Sequence, residues 1–83
     1  MKNDEIEFQW IAKEIDVSHL MYKMPAYIKE MIDEIEKADL EGNVAVYAQV
    51  CDDLEIYTKL LVPEVLTMHE WHMFCEKYSF PPE

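Results

Sequence analysis

The sequence predicts an all-α protein: a small bundle of three to four helices built around an antiparallel αα-hairpin. Three observations carry this. Apolar residues make up 51% of the chain and recur at three- and four-residue spacing over long windows, the period of a helix that buries one face. Gly42 is the only glycine in 83 residues, too few for the repeated tight turns of a β-sandwich or barrel. The prolines, Pro25, Pro63, Pro81 and Pro82, stand at the edges of the periodic stretches. A chain of this length supports one core, so residues 1–83 read as a single helical domain.

The first helix is expected over about 4–15. Asn3 and Asp4 offer cap chemistry, Glu5 and Glu7 suit the positive end of the helix dipole, and Phe8, Ile11, Ala12 and Ile15 keep helical spacing. Residues 17–23 are less periodic and read as a short helix or turn, because Pro25 steers Met24 out of helical dihedrals. Pro25 suits the first turn of a second helix over 25–41, whose stripe of Ile28, Met31, Ile32, Ile35 and Ala38 opposes a charged side. Gly42 and Asn43 supply a left-handed turn followed by a cap, which sends a third helix, 44–62, back antiparallel.

That third helix has a stripe of Tyr47, Val50, Cys51, Leu54, Tyr57 and Leu61 and a second apolar line of Val46, Ile56 and Leu60. It is therefore expected to bury two faces. Pro63 followed by Glu64 reads as the start of a fourth helix, 63–78, with a main stripe through Val65, Met68, Trp71, His72, Cys75 and Tyr78. Residues 79–83 form a tail that cannot continue a helix. No internal repeat is present.

Charge narrows the function classes. Eighteen Asp and Glu face seven Lys and no Arg, for a net charge of −11, and the excess is spread over both halves of the chain. Such a field repels nucleic acid and anionic membranes, and the absence of Arg removes the planar fork that reads phosphates and guanine edges. No direct nucleic-acid binding and no membrane contact are expected. The N-terminus lacks the basic-then-apolar pattern of a signal peptide and no run of eighteen apolar residues occurs, so a cytoplasmic protein is expected. In that reducing compartment Cys51 and Cys75 read as two buried thiols.

No constellation of catalytic residues stands out. His69, His72 and Cys75, with Cys51 as a fourth ligand, would make a zinc site, but the spacing is neither that of a zinc protease helix nor of paired Cys-x-x-Cys motifs. His72 and Cys75 also fall on the expected core stripe. The clusters Asp52-Asp53-Glu55 and Glu30-Asp33-Glu34 lie on polar helix faces, where carboxylates are solvated; Asp39, beside the Ile32 and Ile35 stripe, is the exception. No enzyme activity, cofactor or metal is expected.

The remaining signal is an apolar excess. Leu66, Met73 and Phe74 lie outside the main stripe of the last helix and, with Trp71 on it, carry apolar surface around most of its circumference, which marks the four as a contact face for a protein partner or for self-association into a homodimer. The competing reading is that Phe8, Trp10 and Ile11 cover this face from within the chain. A second function class is an acidic inhibitor of the phage or mobile-element type, which mimics nucleic acid with rows of carboxylates. A small zinc-binding protein is the third.

Overall fold

The computed structural model describes residues 8–79. It is all-α: a short 3-10 helix, Ser18–Lys23, precedes three α-helices, α1 (Ala26–Glu41), α2 (Val44–Lys59) and α3 (Met68–Lys77), and no strand occurs among the described residues. The helices α1 and α2 form the expected antiparallel hairpin, and α3 packs on α2. Among the described residues no helix is long and apolar enough to cross a membrane.

The hairpin follows from local chemistry. Pro25 sits just outside α1 in an extended conformation (φ −64°, ψ 161°), and its carbonyl accepts from the amides of Ile28 and Lys29. Ile28, Ile32, Ile35 and Ala38 then face the core. Gly42 ends the helix in the left-handed region (φ 72°), where the Asn43 amide donates to Ala38 at 2.8 Å and the Gly42 amide to Asp39 at 3.1 Å. These two bonds are a Schellman termination, and they need the positive φ that glycine tolerates best. Asn43 caps α2 by accepting from the Val46 amide, and Tyr47, Val50, Cys51, Leu54 and Thr58 carry its buried face.

Three expectations are corrected. The helix expected over 4–15 does not form across the described residues: 8–17 run as turns and bends, and residues 4–7 lie outside the described range. The reason is that tertiary acceptors take the amides a helix would use. Those of Gln9, Trp10 and Ile11 donate to the Asp39 side chain, and that of Ala12 donates to the Lys77 carbonyl at the end of α3.

The helix expected over 44–62 stops at Lys59, since Leu61 and Val62 turn tightly onto Thr58 and Lys59 ahead of Pro63. The helix expected from Pro63 begins at Met68 instead. There Thr67 and Glu70 form a reciprocal capping box, each side chain bonding the other's amide at 3.0 Å. Thr67→Ala is expected to cost about 1 kcal/mol; urea denaturation measures it, and a change below a few tenths would show that the turn over 60–66 sets the start of α3 without the cap.

Candidate functional site

The four residues expected to form a contact face on the last helix are pulled apart. Leu66 and Phe74 are 0% and 1% exposed, so both belong to the core and neither is available to a partner. The last helix is rotated relative to the expectation: its buried line runs through Phe74 and Tyr78, whereas Met68 and His72, expected on the core stripe, are exposed. Trp71 is half-buried against its own chain. Its indole N–H donates to the Glu55 carbonyl at 3.1 Å, and the Lys59 ammonium lies 4.8 Å from the ring centroid. Met73 is half-buried against the core. Phe8, Trp10 and Ile11, the alternative cover, pack from the N-terminal segment instead, with Trp10 edge-on to Tyr47 of α2 at 4.9 Å.

The residues considered as metal ligands are likewise dispersed between environments. His69 and His72 are exposed, Cys75 is half-buried and Cys51 is buried; among the described residues no group of three or more His, Cys, Asp or Glu is placed to hold a metal ion. Cys51, Cys75 and Ser79 border a groove of about 180 Å³ between α2 and α3, with Asp52 and Glu55 at its rim. Burial pushes the Cys51 thiol up to about 12, while the Tyr47 hydroxyl donates to the Ser79 carbonyl at 3.1 Å. Burial, then Glu55 and Glu76, push Cys75 up to about 11.

Because the thiolate is the reacting species, Cys75 in the native protein is expected to react with Ellman's reagent at pH 8 about a hundredfold more slowly than an ordinary thiol, and Cys51 more slowly still. Both should react promptly in concentrated urea. Fast labelling of either cysteine without denaturant would show that the groove is open enough to stabilise a thiolate.

Asp39, the carboxylate beside the α1 stripe, is fully buried and both of its oxygens accept hydrogen bonds. Oδ1 accepts from the Gln9 amide at 2.6 Å, and Oδ2 accepts from those of Trp10 at 2.8 Å and Ile11 at 2.9 Å. The Gln9 side chain adds a bond to the Asp39 carbonyl at 2.7 Å. Such a group is fitted to fasten the N-terminal segment onto the end of α1 and has no approach for a substrate proton. Lys77 fastens the same segment from the other side, donating to the carbonyls of Ala12 and Ile15 at 3.1 and 2.7 Å.

Most of the exposed large apolar side chains lie on the hairpin, with Tyr22 of the 3-10 helix (82% exposed) and Met68 of α3 (48%) outside it. Ile56 and Leu60 are 59% and 70% exposed, Tyr57 is 42% exposed, and Tyr27 at the start of α1 is 45% exposed with its ring 6.1 Å from that of Tyr57. This corrects the expectation that α2 buries two faces: its second apolar line, Val46, Ile56 and Leu60, is open to solvent. The sequence did show that line. What it lacked was an element to cover it, because the N-terminal segment and α3 both pack on the other side. Of the carboxylate clusters, Glu30, Asp33, Glu34, Asp52 and Glu55 are exposed and Asp53 is half-buried. No protein-family model matches the chain, and no curated protein or solved structure is recognisably similar to it.

Proposed function

We propose that this protein is a non-catalytic protein-protein interaction module that docks its partner on the outer side of the α1–α2 hairpin. The observation that carries the reading is the exposure of Ile56, Tyr57, Leu60 and Tyr27 on a domain whose core is otherwise closed, with every buried side-chain N and O atom among the described residues hydrogen-bonded. Apolar patches of roughly 300–600 Å² on small monomers often serve as contact surfaces, and four large side chains exposed to this degree supply a patch of that order. Catalysis has little to draw on, since both thiols are pushed up by burial and Asp39 is committed to backbone donors.

The mimicry reading is weaker. It needs carboxylates gathered in one dense band, whereas exposed acids occur on the N-terminal segment, α1, α2, the 60–67 turn and α3 alike. The test is affinity capture from the source cell combined with sedimentation over a wide concentration range. A specific partner or reversible self-association supports the module. A strictly monomeric chain that captures nothing overturns it.

A further inference from the structure

The exposed line on α2 has a pattern that narrows what can occupy it. Val46, Gln49, Asp53, Ile56 and Leu60 follow one another at intervals of three, four, three and four residues, the spacing of a heptad seam along the whole outer side of the helix. Leu60 keeps helical dihedrals (φ −66°, ψ −15°), so the line extends through it. Val46 stands at one end at 37% exposure, with Ile56 and Leu60 at the other, and the half-buried Asp53 sits between them. Tyr57 and Tyr27 flank the seam on the α1 side. Its apolar members are Val46 at one end and Ile56 and Leu60 at the other, with the polar Gln49 and Asp53 between them, so a helix lying alongside would find apolar contacts at both ends and a polar position at the middle.

Charge selects which helix. Asp53 is at the centre of the seam, Asp52 lies one turn before Ile56 and Glu30 one turn after Tyr27, both exposed. The nearest lysine on α2, Lys59, is turned away onto Trp71. A second copy of the chain fits badly. If two copies pair along the full seam, parallel or antiparallel about its centre, Asp53 meets its own counterpart, and each copy brings a net charge of −11. A helix with a cation at that position turns the same feature into an attraction and fixes the register, the use to which single polar residues in such seams are best suited.

Resting on the interaction reading above, we infer that the outer face of α2 docks a basic amphipathic helix, one whose apolar seam is interrupted at its middle by a lysine or arginine that faces Asp53. The partner helix lies against Val46 at one end and against Ile56, Leu60 and Tyr57 at the other. It extends the α1–α2 pair toward a bundle.

The test uses synthetic helical peptides of the length of α2, with leucines at the seam and a central lysine, titrated into the isotopically labelled full chain. Saturable binding is expected, with amide shifts concentrated on Val46, Asp53, Ile56 and Leu60. Replacing the central lysine by glutamate should weaken it at least tenfold, and Asp53→Lys should reverse the preference so that the glutamate peptide binds better. Ile56→Ser with Leu60→Ser, both at exposed sites, should abolish it. Binding that tracks net peptide charge regardless of where the lysine sits, or shifts centred on Trp71 and Met73, would overturn the inference. So would self-association of the unmodified chain that Ile56→Ser and Leu60→Ser remove, because the occupant would then be a second copy. If no peptide binds and a cellular partner is retained equally by the double variant, this surface is wrong while the interaction reading stands; if nothing binds and nothing is captured, both fall.

Discussion

Asp39→Ala is expected to lower the stability of the protein by about 3–5 kcal/mol, because it leaves three amide donors without their acceptor, at about 1–3 kcal/mol for each that stays buried. A chain of 83 residues has roughly 4–12 kcal/mol in all at typical values, so this one change removes much of it. Three backbone amides depend on the side chain: that of Gln9 on one oxygen, and those of Trp10 and Ile11 on the other. Water can reach Gln9, which is exposed, but Ile11 is 6% exposed and its amide has no such recourse.

Asp39→Asn keeps the shape and one acceptor oxygen but turns an NH2 toward at least one amide, so an intermediate loss of about 1–3 kcal/mol is expected. Urea denaturation measures both. The local signature is separate: amides 9–11 should exchange faster with solvent, and Trp10 fluorescence, read in a Trp71→Phe background, should change as the indole leaves Tyr47. A loss below 1 kcal/mol with exchange at residues 9–11 unchanged would mean that Ile11 packing and the Lys77 contacts hold the segment without the carboxylate.

The same contacts explain which parts of the fold could be read in advance. The α1–α2 hairpin is written locally: Pro25 before the helix, the line Ile28, Ile32, Ile35 and Ala38 within it, and Gly42 with Asn43 after it all act within a few residues of where they stand. The N-terminal segment is different. Phe8, Ile11, Ala12 and Ile15 have helical spacing, yet the acceptor that draws the chain away from a helix is 28 to 30 residues downstream. A periodicity window does not contain it.

The available hint was Asp39 itself, a carboxylate beside an apolar line, which when buried demands donors from somewhere else in the chain. For α3 the hint was Thr67 three residues ahead of Glu70, a start signal that outweighs Pro63 and Glu64. From that start the helix buries Phe74 and Tyr78, and Leu66, in the turn ahead of it, is buried as well. The exposed line on α2 has a related cause. An apolar line on α2 has to be matched with something that covers it, and once the N-terminal residues form no helix on that side, Ile56 and Leu60 stay open.

Phe74→Ala separates the two assignments of the last helix most sharply, with an expected loss of about 3–5 kcal/mol, the range for removing a buried aromatic side chain. Phe74 is 1% exposed, its ring is stacked with that of Tyr78 at 6.4 Å, and it borders the groove shared by Cys51, Leu54 and Thr58. A groove of about 180 Å³ lies beside it. Neighbouring space lets side chains settle inward after truncation, so the lower half of the range is favoured over the upper. A contact residue on the surface would behave in the opposite way: its truncation leaves monomer stability within about 0.5 kcal/mol and weakens association instead.

That is the outcome expected for Ile56→Ser and Leu60→Ser, whose side chains lie mostly in solvent. Measured side by side by thermal and urea unfolding, Phe74→Ala should lower the midpoint strongly while the α2 variants leave it nearly in place. A neutral Phe74→Ala that alters self-association or partner capture would return the working face to α3 and displace the seam on α2.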